Sequence, residues 1–363
     1  MDVTPDAPLL EVRNLSTTFV GGRRPVTAVA DVSLSLRRGE TLGVVGESGS
    51  GKSVLSRSIM GLVSPGSRVV RTGSIEFDGR EISELPRKRV RRLWGSQMAM
   101  VLQDPLTSLN PVKKIGAQLV ETVRRHTPGM SRAEAEKRSI ELLRSVGIPE
   151  PAQRMRVYAH QMSGGMRQRV GIAIALAGDP QMLFADEPTT ALDVTVQMQI
   201  LDLLQEQQRR RNMGMILVTH DLGVVATRTD RIMVMYAGQV VESAPTRELF
   251  QNVRMPYTRA LLDALPRRDA PSHTRLRAIP GNPPNLAAPP TGCRFAARCP
   301  AAQEKCRVDA PPLRATGERQ DHLYRCWFPV GTPEYARAVA ANAASALSVV
   351  AQPESADSPA EVS

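Results

Sequence analysis

Residues 41–53 read TLGVVGESGSGKS: a short apolar run, a glycine-rich loop, and the start of a helical pattern. The run 41–46 is of the buried-strand type. Gly46-Glu47-Ser48-Gly49-Ser50-Gly51-Lys52-Ser53 satisfies G-x-x-x-x-G-K-[ST] at every fixed position. The glycines let the backbone wrap so that its N–H groups converge on phosphate oxygens, and the helix that follows adds the positive end of its dipole. Lys52 is placed to reach the β- and γ-phosphates, and the Ser53 hydroxyl to hold Mg²⁺. A glycine loop with no ligand would have no need of the strand before it, the helix after it and the Lys-Ser pair together.

Working outward, residues 9–20 (LLEVRNLSTTFV) and 26–36 (VTAVADVSLSL) alternate around a Gly-Gly turn and read as strands, and 73–80 (GSIEFDGR) reads as a further exposed strand. From about 107 to 175 the apolar spacing becomes helical, clearest in IGAQLVETVRRH and RAEAEKRSIELLRSVG. Residues 180–186 and 214–219 read as buried strands, 231–242 as a strand pair turned at Ala237-Gly238, and 196–210 and 255–266 as helices. The alternation predicts an α/β fold. The stretch 266–292 is a semi-rigid connector rich in Pro, Arg and Gly, and a cysteine segment occupies 293–330. Residues 331–363 are expected to hold a short helix and a partly disordered Ala/Ser/Pro/Glu tail.

A phosphate loop alone says only nucleotide. In MLFADEP (182–188) an apolar strand ends in two carboxylates. Asp186 is suited to coordinate Mg²⁺, and Glu187 to polarise an attacking water. Ser163-Gly164-Gly165-Met166 opens a helix and makes a second N-terminal anion site, although an ordinary helix cap has the same form.

The order of phosphate loop, Gln103 in VLQDPLTSLNP, Ser-Gly-Gly segment, acidic strand end, Asp193 in TTALDV and His220 in LVTHDL is similar to the nucleotide-binding domain of the ABC transporter family. The resemblance spans roughly residues 9–265, with a helical subdomain at about 104–175. It implies a P-loop ATPase core with a mixed sheet and an antiparallel β subdomain, binding ATP and Mg²⁺. By this resemblance Gln103 is the glutamine-loop residue that touches Mg²⁺ and senses the membrane subunits, and His220 braces the γ-phosphate. Phe19 lies under adenine, and Asp193 is the D-loop residue. Met166 stands where the family commonly has Gln, leaving the serine and both glycines intact. The implied mechanism is a head-to-tail dimer, in which Ser163, Gly164 and Gly165 of one subunit cap ATP held by Lys52 and Ser53 of the other.

Cys293, Cys299, Cys306 and Cys326 are the only cysteines, spaced C-x5-C-x6-C-x19-C. A chain that clusters its thiols in this way points to metal rather than to disulfides. The spacing matches neither paired zinc knuckles nor a ferredoxin run. With PGNPPNL (280–286), PYTRALLDALP (256–266) and SLNP (108–111), the segment resembles the C-terminal extension of the oligopeptide/dipeptide/nickel importer group. That resemblance implies a [4Fe–4S] cluster, with zinc or reduced thiols as the alternatives. Arg294, Arg298, Lys305, Arg307 and Arg325 are expected to offset thiolate charge.

The bulk numbers bound the rest. With 363 residues, 42% hydrophobic and 23% charged, the chain can bury a sizeable core, and at 4% aromatics that core is aliphatic. No run approaches about 18 apolar residues, and MDVTPDAPLL lacks the pattern of a signal peptide. A cytosolic chain at the inner face of the cell membrane is expected. The net charge of +11 favours anionic partners without choosing among nucleotide, nucleic acid and lipid. The group resemblance implies two permease subunits, a second ABC ATPase subunit (a heterodimer, or a homodimer), and an extracytoplasmic solute-binding protein that acts indirectly. The rival is a soluble ABC ATPase on nucleic acid, which the basic run 87–92 (RKRVRR) would suit. Against it, the run has no interleaved aromatics to stack on bases, and the chain has a single cassette and no long heptad arms.

Overall fold

The computed structural model describes residues 7–63, 68–104, 109–189, 192–265, 278–317 and 319–350. The first part of the proline-rich connector (266–277), Ser108 of the SLNP segment, Thr190 and Ala191 of TTALDV, and the tail from 351 onward lie outside the described residues.

In chain order the strands are β1 (Leu10–Phe19), β2 (Val26–Leu36), β3 (Thr41–Val45), β4 (Val69–Phe77), β5 (Arg80–Glu81) and β6 (Met98–Val101). They continue as β7 (Met182–Asp186), β8 (Gly214–Thr219), β9 (Arg231–Tyr236), β10 (Gln239–Pro245), β11 (Arg314–Thr316) and β12 (Arg319–Tyr324). An antiparallel sheet has the order β2-β1-β4-β5, and a second, mixed sheet the order β11-β12-β10-β9-β3-β8-β7-β6. Strands β6, β7, β8, β3 and β9 run parallel. Every residue of β3, β7 and β8 is buried, as strands covered on both faces require.

Leu10, Leu15 and Leu36 of the antiparallel sheet meet Leu55, Phe184 and Met235 in the core shared by the two sheets. On the other side, helices Ile115–His126, Arg132–Ser145, Gly164–Ala175 and Val194–Arg211 bury Leu119, Leu142, Ile172 and Ile200 against Leu183 and Leu217. Ser131 starts the second of these with a reciprocal capping box to Glu134.

The structure adds elements that the sequence reading lacks. MAMV (98–101) forms β6, too short a run for periodicity to declare. The expected strand at 73–80 starts earlier and breaks into β4 and β5. The basic run is the helix Arg87–Leu93, with Val90 buried and its arginines outward. The cysteine segment contributes β11 and β12, and β12 joins the mixed sheet through Glu242↔Tyr324 and Ser243↔Leu323. A buried pair locks that edge: His322 Nε2 lies 2.9 Å from Glu242 Oε1, and both side chains are 0% exposed. Glu242 also accepts the amides of Arg254 (2.6 Å) and Met255 (3.2 Å). Helix Pro333–Val350 follows.

Candidate functional site

The parallel strands deliver their C-terminal ends to one edge, where an open α/β sheet places its ligands. The loop 46–51 leaves β3 there and enters helix Lys52–Ile59. Its glycines answer a steric need. Gly46 (φ 152°) and Gly51 (φ 101°) sit where a Cβ would lie 2.1 Å from Met235 O and 2.2 Å from Ala28 O. Lys52 Nζ donates to Gly46 O (2.8 Å) and Glu47 O (3.0 Å), folding across the loop. Burial pulls the Lys52 ammonium pKa below its ordinary value, against the opposing charges of Glu187, Asp186 and Glu47. The buried Ser50 Oγ has no protein partner, and its hydroxyl is available to a ligand in a loop suited to polyphosphate.

Strand β7 ends on Asp186, whose Oδ1 accepts from Ser53 Oγ at 2.7 Å. Burial raises the Asp186 carboxyl above its ordinary value, while Ser53 and Arg57 pull the other way. A hydroxyl and a carboxylate in contact beside a phosphate loop fit a hard Mg²⁺ ion. Glu187 takes a left-handed turn (φ 45°), pinned by its N–H to Val218 O at 2.9 Å. Its carboxylate accepts from Gln103 Nε2 at 3.1 Å and lies 3.6 Å from His220 Nδ1. Topology explains the meeting. Strand β6 pairs Val101 with Ala185, and β8 pairs Val218 with Asp186, so Gln103 and His220 emerge on either side of Glu187.

Other expected residues lie apart from this chain of contacts. Phe19 ends β1, half-buried and paired with Val26 and Val69 on the antiparallel sheet. Ser163 caps helix Gly164–Ala175, accepting from Met166 N at 3.3 Å. Asp193 caps helix Val194–Arg211, accepting from Val196 N at 2.9 Å. The two helix starts pack on each other, since a Cβ on Gly165 would lie 2.8 Å from Val196 Cγ1 and one on Gly164 would lie 3.4 Å from Leu192 Cδ2. Beside Asp193, the apolar Val194 and Met198 are exposed.

The four cysteines are free thiols lining one enclosed cavity of about 10 Å³ with Met255, Phe295 and Phe328. Burial and mutual proximity push the thiols of Cys293, Cys299 and Cys326 up, that of Cys299 to about 12. Burial among apolar side chains keeps these thiols in the neutral form, and a metal would have to displace their protons to bind. The volume is also no more than a water's, so loading would require the side chains to swing outward. Among the described residues, no group of three or more Cys, His, Asp or Glu lies close enough to hold one metal ion.

The neighbouring bases correct the sequence reading. Arg325 does act electrostatically on Cys293. Arg294 donates to Ala237 O, Arg307 pairs with Glu304, and Lys305 lies 4.0 Å over the Trp327 ring. Arg298 turns away to Glu47 in the phosphate loop (2.6 Å), and Tyr257 OH accepts from Glu47 N at 2.9 Å. Neither contact had a sequence signal, because the partners stand 251 and 210 positions apart.

Comparison with known proteins agrees with this geometry. Residues 29–190 match the ABC transporter family, and residues 241–306 match the C-terminal region of oligopeptide/dipeptide transporters. The oligopeptide transport ATP-binding protein OppD of Salmonella typhimurium is 49% identical over 326 residues, covering 90% of this chain and 95% of that protein. The dipeptide transport ATP-binding protein DppD of Escherichia coli is 46% identical, covering 89% and 97%. A solved dimeric ATP-binding cassette bound to ADP and Pi superposes with a TM-score of 0.59 at 28% identity, covering 66% of this chain and 99% of that one. Sheet order, phosphate loop, acidic strand end and C-terminal segment together place this chain in the ABC transporter family, as an ATP-binding, ATP-hydrolysing subunit of the oligopeptide/dipeptide type.

Proposed function

We propose that this chain energises the import of peptides by binding and hydrolysing ATP at a site completed by a second ATPase subunit. Lys52 and the loop amides of Gly46 to Ser53 would hold the phosphates, and Ser53, Asp186 and Gln103 would hold Mg²⁺. Glu187 would orient the attacking water while His220 stabilises charge on the γ-phosphate. Ser163, Gly164, Gly165, Met166 and Asp193 would serve the partner's nucleotide, in keeping with their separation from this chain's own loop. Phe19 would underlie adenine. The observation that carries the reading is sequence identity near one half to peptide-transport ATP-binding proteins along nine-tenths of the chain.

Permease subunits would dock beside the helical region. A groove of about 780 Å³ there combines apolar Trp94, Met98 and Leu102 with basic Lys88, Arg91 and Arg125. No helix among the described residues is long and apolar enough to cross a membrane, so this reading places the chain peripherally on the inner face, with the solute-binding protein opposite. The test is reconstitution with the permease pair in liposomes. ATP-dependent peptide uptake supports the reading; ATPase stimulated by DNA, with no permease bound, would replace it with the nucleic-acid alternative.

The cysteines would hold a [4Fe–4S] cluster, which supplies one-electron chemistry when bound. What prompts this is the resemblance of the cysteine segment to the importer group; as folded, the thiols line a cavity of about 10 Å³, so holding a cluster would require that cavity to open. Iron, sulfide and zinc analysis after anaerobic purification decides it: about four irons and four sulfides support the cluster, zinc assigns a structural site, and no metal leaves reduced thiols.

A further inference from the structure

Arg298 stands out as a buried cation that the ATPase site does not account for. It ends the single turn Ala296–Arg298, held between cysteines by Ala296 N to Cys293 O (3.0 Å) and Cys299 N to Ala296 O (3.3 Å). All five of its N–H donors find an acceptor in the fold. Nη1 and Nη2 grip the two Glu47 oxygens at 2.6 and 2.8 Å, a parallel fork. The other bonds run to Tyr236 OH (3.2 Å), Pro280 O (2.9 Å) and Ile279 O (3.3 Å). The guanidinium also lies 5.8 Å from the Tyr236 ring and 5.9 Å from that of Phe295. These rings pack with Tyr257, whose hydroxyl accepts the Glu47 amide.

Glu47 is an odd residue to find in a loop that must take a triphosphate. Its carboxylate adds a like charge beside Asp186 and Glu187, and like charges repel an anionic ligand. We propose that Arg298 is a positioning residue of the ATP site, neutralising Glu47 and fixing the phosphate loop from the cysteine segment. The fork cancels the charge of the carboxylate, while Tyr257 fixes the amide of the same residue. Both ends of Glu47 are thereby set by the C-terminal part of the chain, and the loop's remaining amides face the nucleotide in a fixed frame. The proposal rests on the ATPase reading but is tested separately from it.

The experiment uses the full-length chain, assembled with its permeases if turnover requires them, and four variants: Arg298→Gln, Arg298→Lys, Glu47→Gln, and Arg298→Gln with Glu47→Gln. Arg298→Gln should raise the KM for MgATP about tenfold, with kcat changed less than about twofold. Arg298→Lys, which keeps the charge and loses the fork, should fall between it and wild type. The double variant should bring KM back to within about threefold of wild type, because the uncompensated charge is gone. A merely structural Arg298 would give additive losses with no such rescue, and that result, or an unchanged KM in Arg298→Gln, overturns the proposal. If Arg298→Gln does not fold, Arg298→Lys reads the fork by itself, and a KM for MgATP unchanged from wild type in that variant overturns the proposal. MgATP affinity by calorimetry reports the clamp even if wild-type turnover were absent, an outcome that would count against the ATPase reading instead.

Discussion

Replacing Glu187 by Gln isolates the residue at the centre of the site. The exchange is isosteric, leaves the backbone bond to Val218 O in place, and keeps a side-chain oxygen to accept from Gln103 Nε2. It removes one negative charge from a group in which Asp186, Glu187 and Glu47 all act on Lys52. Ground-state binding of MgATP should therefore hold or tighten. What is lost is the carboxylate's ability to align water and take its proton, and a positioned base contributes about 10²- to 10⁴-fold. That corresponds to about 3–5 kcal/mol of transition-state stabilisation. The assay pairs steady-state phosphate release with calorimetric MgATP binding and a sizing column run with ATP. Turnover should fall by two to four decades, about the range above, while affinity is kept and ATP-bound dimers accumulate. Turnover within about tenfold of wild type would refute the role, and loss of binding along with turnover would mean that Glu187 supports the loop instead.

Gly46→Ala puts a Cβ 2.1 Å from Met235 O and should cut MgATP affinity by about 100-fold or more, read by calorimetry. His322→Ala leaves the buried Glu242 carboxylate without its imidazole partner and should cost about 1–3 kcal/mol. Denaturant unfolding checks this, and a change below about 1 kcal/mol would mean that Glu242 is satisfied by its two amides alone. Because burial raises the Asp186 pKa, its ionised form is disfavoured in the fold, and its stability contribution falls as pH rises from the unfolded value through the raised one. Mg²⁺-dependent nucleotide binding has the opposite sense: it needs the carboxylate, so on acidification it should fail at a higher pH than an ordinary aspartate would allow. Asp186→Asn should bind weakly and lose that pH dependence; an identical acid limb in the variant would assign it to another group.

The candidate ATP-site residues could be named from the sequence because the chemistry proposed for them is local. Gly46 to Ser53 form one contiguous loop, and MLFAD ends on its own carboxylates, so spacing along the chain carried the signal. The central strands β3, β7 and β8 were legible for a related reason, since burial on both faces writes an unbroken apolar run. Strand β6 was not, because four residues are too few to show a period. Its pairing with β7 nevertheless brings Gln103 to Glu187.

By itself, then, the sequence determined the α/β class, the phosphate loop, the acidic strand end and the presence of a cysteine segment. Each of these is a matter of residue type at short spacing. Only the tertiary structure decided that the cysteine segment joins the mixed sheet through β12, and that Arg298 leaves the thiols for Glu47. It also decided that the helix starts capped by Ser163 and Asp193 lie against each other, with Gly165 on Val196 and Gly164 on Leu192. The physical reason is the same in each case. A contact across 251 positions is set by sheet order and packing, and a charged side chain beside cysteines in sequence is free to pair with whichever opposite charge the fold brings nearest.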